Sequence, residues 1–489
     1  MKSEANGFFA AQAWVQSAWA YDVLLEVDAR GHWSKVQANT PEDQRQDAQV
    51  LSGSVLPGVV NAHSHAFQRA IAGLTERSSI EGGWGAVRSA QVKEEPATRA
   101  GDTEQNVPPP SLLGGSDNFW TWRDRMYSAA NRISPEQLEV IATHLYAELL
   151  AGGYTQVCEF QYLHNDVDCI PHADPAEMSL ALVRAAQHSG IGLTLLPTLY
   201  MRSGFAATGL RDDQRRFAST PESIARIVES VQRQTANDPR INVGVALHSL
   251  RAVPPAALNE LAVYAQAKGL PVHIHIAEQT QEVDDCLLHT GQRPIEWLLN
   301  HAAVDARWNL VHATHTTPQE LAGIAQAGAS IVICPSTEAN LGDGVFDLPG
   351  YAAVQGRWSI GSDSHMTRSW AEEFRLLEYS QRLTRLQRNV AALALGHSST
   401  AAALLQVALA GGSGATGCAL GGIAVGQRAD FVVLGREASA LQGMPNDYLL
   451  DALVFSSPSA HFAQTYVAGR AITAQARADF VQVMHSLWA

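Results

Sequence analysis

The stretch LPGVVNAHSHAFQR, residues 56–69, holds a short apolar run that follows a Pro-Gly break and ends in a His-x-His pair. Such a run predicts a buried strand, and residues two apart in a strand point to the same side. His63 and His65 should therefore project together, where two imidazoles can hold zinc or another borderline first-row metal ion. Short motifs of this kind also occur by chance, so the prediction depends on ligands from other strands.

Further apolar runs follow, separated by helix-like segments rich in Ala, Leu, Glu, Gln and Arg. This alternation is typical of βα units, and eight of them favour a (β/α)8 TIM barrel, an α/β fold with a parallel sheet. The predicted strands are 59–65, 154–161, 192–200, 242–248, 271–276, 308–313, 330–334 and 357–363. Catalytic groups of such barrels lie where strands end. The polar side chains found there are those of His65, Glu159, His248, His275, His312 and Asp363.

Both ends of the chain hold short β-like pieces with glycine between them, which predicts one small β-sandwich domain built from both termini. The predicted boundaries are 1–55 and 411–489 for the sandwich, and 56–410 for the metal-dependent barrel. Within the barrel, residues 77–116 contain a Gly-Gly pair, mixed charges and a run of prolines. That composition indicates an irregular inserted loop, either a surface excursion or a lid over the pocket.

The composition limits the classes of function. The 489 residues are 46% hydrophobic and 17% charged, which is sufficient for a large core and more than one domain. Lys+Arg 34 against Asp+Glu 48 gives a net charge of −14, which argues against nucleic acid or an anionic membrane surface as a partner. The 5 scattered cysteines contain no Cys-x-x-Cys pair, and no signal peptide or long apolar segment is recognisable. We therefore expect a cytoplasmic protein that does not enter a membrane.

Three later strand ends supply further candidates for a metal site. His275 should close the fifth strand, with Glu278 in the following loop, placed to transfer protons. His312, at the end of the sixth strand, is either a ligand or a group that orients and deprotonates a bound water. Asp363, after the eighth strand, can complete a set of three histidines and one aspartate. One metal ion with a position left for water indicates a hydrolytic site.

These strand-end motifs resemble the amidohydrolase superfamily, specifically its cytosine-deaminase-like branch with one metal ion. The predicted strand 242–248 has no lysine, which fits a site without a carbamylated bridging ligand. Longer segments resemble the formimidoylglutamate deiminase family within that superfamily. They are NAHSHAFQRA (61–70), FWTWR (119–123), EFQYLH (159–164), HSLRAV (248–253), HIAEQ (275–279) and STEANLGDG (336–344).

The resemblance implies a role for each matching position. The implied ligands of one Zn2+, or of another divalent first-row ion, are His63, His65, His275 and Asp363. The implied catalytic residues are Glu278, His312, Asp363 and Gln68, the last as a hydrogen-bonding partner of a formimino group. The implied substrate-binding residues are Gln68, Arg123, Tyr162, His248 and Arg251. Paired guanidinium groups and a hydroxyl suit a small dicarboxylate.

The implied reaction is hydrolysis of N-formimidoyl-L-glutamate to N-formyl-L-glutamate and ammonia, a step of histidine degradation, by a cytoplasmic homodimer. Two features depart from the family pattern. The insert at 77–116 is longer than expected, and Gln161 stands where a histidine is frequent. Neither departure affects a predicted metal ligand.

Two other interpretations stay open. A deaminase of the same branch that acts on a nucleobase or a triazine would need an aromatic slot and amide groups, whereas Arg123 and Arg251 favour a dianion. A metal-free structural protein on a degenerate amidohydrolase barrel would have lost ligands, whereas this chain keeps the full set.

Overall fold

The computed structural model describes residues 6–76, 118–435, 438–458, 462–473 and 479–488. The predicted insert at 77–116 lies outside the described residues.

The secondary structure alternates strands and helices through the centre of the chain. The strands are β1 (Asn6–Val15), β2 (Ala18–Val27), β3 (Trp33–Gln37), β4 (Gln49–Val50), β5 (Val55–Pro57), β6 (Val59–Ser64), β7 (Tyr154–Gln161), β8 (Gly192–Leu199), β9 (Ile241–Val243), β10 (Val245–Ser249), β11 (Val272–Ile276), β12 (Trp308–His312), β13 (Ser330–Ile333), β14 (Arg357–Ile360), β15 (Phe431–Leu434), β16 (Phe462–Val467) and β17 (Arg470–Ala471). The α-helices are α1 (Phe119–Ala130), α2 (Pro135–Ala151), α3 (Glu177–Ser189), α4 (Pro221–Gln234), α5 (Pro255–Lys268), α6 (Thr280–Thr290), α7 (Pro294–His301), α8 (Pro318–Ala327), α9 (Pro335–Leu341), α10 (Leu348–Ala353), α11 (Trp370–Arg385), α12 (Val390–Ala394), α13 (Thr400–Thr416), α14 (Leu449–Phe455) and α15 (Phe480–Trp488). Short 3-10 turns cover Glu42–Gln44, Ala66–Ala70, Asp212–Phe217 and Asn446–Tyr448.

The parallel strands form the barrel that the sequence predicts. They follow the order β14-β13-β12-β11-β10-β8-β7-β6, with β9 paired to β8. A parallel bridge between Ser64 and Asp363 joins the first strand to the segment after the last one, so the barrel is nearly closed. The predicted fourth strand is split at Gly244, where a Cβ atom would come within 2.7 Å of the Leu196 side chain and of the Pro271 carbonyl oxygen. The (β/α)8 prediction is confirmed.

The barrel helices begin and end at recognisable caps. Ser134 caps α2 and Thr317 caps α8, each through a capping box with Pro at the start of the helix. Gly190 ends α3 and Gly328 ends α8 in the left-handed conformation that glycine adopts without a steric penalty. Local sequence therefore determines where these βα repeats turn.

A second sheet combines strands from both termini, as predicted. Its order is β17-β16-β15-β5-β1-β2-β3, and β4 pairs with β1 beside this path, so that all of these strands form a single sheet. Its core contains Phe8, Trp33, Phe431 and Tyr466, and the last two rings stack at 4.2 Å. Only Gly58 separates β5 from the first barrel strand. The segment 411–489 also supplies α14 and α15, which pack against barrel helices α11, α13 and α2.

In the described part of the chain, every helix is too short or too polar to cross a membrane.

Candidate active site

The four predicted metal ligands meet at the carboxyl ends of the barrel strands. His63 lies in β6 with His65 just beyond it, His275 lies in β11, and Asp363 follows β14. All four are buried, at 0%, 3%, 9% and 5% exposure respectively. Asp363 has a φ of +48°, a strained value for a residue with a side chain, and such strain is common at functional sites.

The ligand atoms form a compact cluster. The Nε2 atom of His63 is 3.1 Å from the Nε2 atom of His65 and 3.0 Å from the Nε2 atom of His275. The Nε2 atoms of His65 and His275 are 3.3 Å apart. The Asp363 Oδ1 atom is 3.5 Å from His63 Nε2 and 3.4 Å from His65 Nε2. Four atoms about 2.0 to 2.1 Å from one zinc ion in tetrahedral geometry are roughly 3.3 Å apart. The spacing therefore fits one metal ion.

The hydrogen bonds behind the rings support the same conclusion. His65 Nδ1 donates to the Phe160 carbonyl at 3.0 Å, and His275 Nδ1 donates to the His248 carbonyl at 2.9 Å. Because a carbonyl only accepts, the Nε2 atoms of the neutral rings carry lone pairs that face each other. Burial and the neighbouring imidazoles hold the pKa of His63 and His275 well below the ordinary value. These facing lone pairs repel one another unless a cation lies between them.

His312 lies among carboxylates beside this cluster. Its Nε2 atom is 3.6 Å from Glu278 Oε1 and 3.7 Å from Asp363 Oδ2, and its Nδ1 atom is 3.4 Å from Glu338 Oε1. Burial lowers the pKa of His312, but Glu278, Glu338 and Asp363 outweigh burial and raise it to about 10. One of its ring nitrogens also lies within 4.8 Å of a ring nitrogen of His63 and of His275. His312 can therefore hold a proton next to the cluster.

Glu278 lies in the loop that follows β11. Ala277, with a φ of +51°, reverses the chain immediately before it. Burial raises the pKa of Glu278 to about 7, and the Asp363 charge adds to this rise. A carboxyl group with that pKa both accepts and donates a proton near neutral pH.

A cavity opens onto the cluster. Its walls include all five residues for which the sequence predicts substrate contacts: Gln68, Arg123, Tyr162, His248 and Arg251. The Gln68 amide donates to the Tyr162 hydroxyl at 3.4 Å, whereas the Gln68 Oε1 atom is buried without a hydrogen-bond partner. That oxygen is available to an N–H group in the cavity.

Two arginines line the cavity next to the Trp120 ring. Arg123 lies 4.4 Å and Arg251 5.3 Å from the centre of the Trp120 ring. Arg251 is 9% exposed, the Arg123 Nε atom is buried without a partner, and within the described ranges neither guanidinium forms an ion pair. Burial lowers the pKa of Arg123, and the Arg251 charge acts in the same direction. Guanidinium groups that are at least partly buried and form no ion pair favour an anionic ligand.

Residues 54–472 match the sequence profile of the Amidohydrolase family. The chain belongs to this family. A formimidoylglutamate deiminase of Pseudomonas aeruginosa is 41% identical over 99% of this chain and 99% of its own length, which confirms the predicted resemblance. A 5-methylthioadenosine/S-adenosylhomocysteine deaminase of Halobacterium salinarum is 30% identical over 86% of this chain and 81% of its own. A crystal structure of an amidohydrolase from Brucella melitensis aligns with a TM-score of 0.85 at 37% identity, covering 99% of this chain and 100% of that one.

This amidohydrolase barrel also positions carboxylates to which sequence analysis assigns no role. Glu159 accepts hydrogen bonds from Ser64 Oγ at 2.7 Å and from the Ala66 N–H at 2.5 Å, so it supports the segment on both sides of His65. Glu338 binds the Cys334 N–H at 2.8 Å in addition to facing His312. The sequence signals were weak: Glu159 lies near the end of the predicted strand 154–161, and Glu338 lies in the quoted segment 336–344.

Two loops of the amidohydrolase are held together next to the arginines. The Arg202 guanidinium, after β8, donates to the carbonyl of Leu250 at 2.9 Å and to that of Arg251 at 3.1 Å. The backbone N–H of Met201 donates to the Ala252 carbonyl at 2.9 Å. The main chain that carries Arg251 is thus fixed from the neighbouring strand end.

Proposed function

We propose that this amidohydrolase is a formimidoylglutamate deiminase, which hydrolyses N-formimidoyl-L-glutamate to N-formyl-L-glutamate and ammonia. The observation that carries the proposal is the pair of guanidinium groups of Arg123 and Arg251, which line the same cavity as the histidine cluster and form no ion pair among the described residues. A linear molecule with carboxylates at one end and an amidine at the other would place the carboxylates at the two arginines and the amidine at the histidine cluster. The 41% identity to a formimidoylglutamate deiminase supports the same substrate.

We propose one zinc ion, or another divalent first-row ion, held by His63, His65, His275 and Asp363. The spacing of the four ligand atoms and the lone pairs that point between them support this assignment. When bound, such an ion acts as a Lewis acid and makes water a nucleophile near neutral pH. The charge of the bound ion would lower the pKa of the nearby His312 ring, so that this ring and the Asp363 carboxylate would accept the proton that the attacking water loses.

Glu278 would supply the proton that the departing nitrogen needs. Its carboxyl group lies beside His312, and its pKa of about 7 leaves it partly protonated under ordinary conditions. A proton received by His312 can therefore reach Glu278 across 3.6 Å, with water or a small movement of either side chain closing the gap.

The cavity walls would orient the substrate for attack. The free Gln68 Oε1 atom would accept a hydrogen bond from the amidine, while Arg123, Tyr162, His248 and Arg251 would bind the carboxylates. Binding at both ends would place the formimidoyl carbon next to the cluster. The family resemblance further implies a cytoplasmic homodimer that acts in histidine degradation.

The experiment that tests the substrate measures ammonia release by the zinc-loaded protein. N-formimidoyl-L-glutamate would be compared with N-formimidoylglycine, which lacks the second carboxylate, and with guanine and cytosine. Release from the glutamate compound alone supports the proposal. Release from a nucleobase alone contradicts it and supports the nucleobase alternative.

Metal analysis tests the cofactor independently of turnover. Protein purified without chelator should contain about one divalent ion per chain, because three histidines and a carboxylate are a complete protein ligand set for such an ion. The Asp363→Asn variant should bind the ion more weakly and have no measurable turnover. Wild-type protein without stoichiometric metal would favour the structural alternative.

A further inference from the structure

A carboxylate with no role in the proposed mechanism, that of Glu282, lines the cavity together with Glu278 and Arg251. Glu282, in the first turn of α6, is 2% exposed. Its Oε2 atom accepts the backbone N–H of Glu278 at 3.3 Å. Its Oε1 atom is buried and has no hydrogen-bond partner. Burial of a carboxylate is costly unless the charge acts on something nearby.

The first group on which Glu282 acts is the loop between β11 and α6. This loop turns at Ala277, whose φ of +51° is unfavourable for alanine, and it carries Glu278 immediately afterwards. A glutamate at the third helical position commonly reaches back to an N–H group at the start of its helix. Here the N–H group that it holds belongs to the proposed acid itself. Glu282 thereby limits the directions in which the Glu278 side chain can point.

The second group is the Arg251 guanidinium. The Arg251 and Glu282 side chains line the same cavity and are both buried, at 9% and 2% exposure. Burial lowers the pKa of Arg251, but neighbouring groups outweigh burial and raise it, with Glu282 foremost among them. Among the described residues the two side chains form no ion pair, so Arg251 keeps its hydrogen-bond donors for a ligand. The negative charge of Glu282 nevertheless weakens the attraction of Arg251 for a second anion.

We propose that Glu282 is a positioning residue that links the two ends of the site. Its Oε2 atom fixes the main chain of Glu278, and its charge moderates how tightly Arg251 holds a carboxylate, which favours product release. The inference rests on the proposed function, because both residues have their roles only in that reaction.

Two substitutions separate the two effects. Glu282→Gln removes the charge but retains an oxygen that can accept the Glu278 N–H, whereas Glu282→Ala removes both. In Glu282→Gln we expect the dissociation constant of glutarate, measured by calorimetry on the zinc-loaded protein, to fall about five-fold, with a smaller loss of kcat than in Glu282→Ala. In Glu282→Ala we expect the same tighter binding and a fall in kcat of about ten-fold or more, with the zinc content unchanged.

The control is Glu222→Gln, since the Glu222 side chain is 76% exposed on α4, and it should change neither quantity. An unchanged glutarate constant in Glu282→Gln, or an unchanged kcat in Glu282→Ala, overturns the inference. If the alanine variant fails to fold, the glutarate titration of Glu282→Gln decides alone. That titration needs no turnover. Wild-type protein that binds glutarate but releases no ammonia would contradict the proposed function, whereas the glutarate titration of Glu282→Gln would still test the effect of the Glu282 charge.

Discussion

Among single residues, Arg251 has the most specific predicted effect on substrate binding. Arg251→Met keeps a long side chain that can pack on Trp120 but removes the charge. A charge-assisted hydrogen bond contributes about 2 to 3 kcal/mol, so we expect KM for N-formimidoyl-L-glutamate to rise roughly 30- to 160-fold. We expect kcat to stay within a few-fold, because the metal ligands and Glu278 are untouched. Steady-state ammonia release measures both constants.

The matched control for this prediction is Arg226→Met, whose side chain is 61% exposed on α4. It should leave KM unchanged. A fall in kcat without a rise in KM for Arg251→Met would show that Arg251 supports the fold of the cavity rather than the substrate.

The metal-binding roles of residues at strand ends were predictable because histidine and aspartate are recognisable metal ligands in the sequence. The His-x-His pair and the Asp363 position follow directly from motifs, and the structure places them in one cluster. The roles of Glu338 and Glu282 were not predictable, because they depend on which groups the fold brings close. No spacing in the sequence shows that Glu338 reaches a ring 26 residues away.

At the scale of elements, strands were more predictable than the details of their ends. An apolar run predicts a buried strand from local sequence alone. The fifth predicted strand, 271–276, therefore differs by only one residue from the observed strand, Val272–Ile276. The break at Gly244 and the turn at Ala277 depend on close approach by other parts of the barrel, which single-sequence periodicity does not contain.

A buried carboxyl group between two helices makes the stability dependent on pH. Glu373, in α11, is fully buried and accepts hydrogen bonds from Ser336 of α9, from its N–H at 2.9 Å and its hydroxyl at 2.6 Å. Burial raises its pKa to about 8 from the usual 4.5. Between these values the folded state keeps a proton that the unfolded state releases, so this group costs stability as the pH rises through that window.

Glu373→Gln removes this titration while keeping an acceptor for Ser336. We expect the free energy of unfolding of the variant, relative to wild type, to increase by about 1 kcal/mol for each pH unit between pH 5.5 and 7.5. Urea unfolding at several pH values measures the difference. Glu372→Gln, at the adjacent position in the same helix, is the comparison, because the Glu372 side chain is only partly buried. Parallel stability curves for wild type and Glu373→Gln would contradict the prediction.

At the scale of the whole molecule, a buried ion pair next to the terminal sheet is hydrogen-bonded to a barrel strand. Arg428, 4% exposed, donates to Asp430 Oδ2 at 2.6 Å and also to Gln156 of β7 at 2.8 Å. Asp430 in turn accepts the N–H of Ala468, in the turn after β16, at 2.9 Å. Since β5 also continues into β6 after one glycine, we infer that the sheet and the barrel unfold together.

Arg428→Met tests that coupling, because it leaves the Asp430 carboxylate buried and without its cation. Breaking a buried ion pair in this way typically costs about 3 to 5 kcal/mol, so the urea midpoint should fall markedly in a single transition. Arg428→Met/Asp430→Asn should recover much of the loss, because the remaining charge is removed while an acceptor for Ala468 is kept. KM should stay unchanged in both, since neither residue lines the cavity. Two separate transitions, with the barrel unfolding at its original midpoint, would show that the sheet contributes nothing to barrel stability.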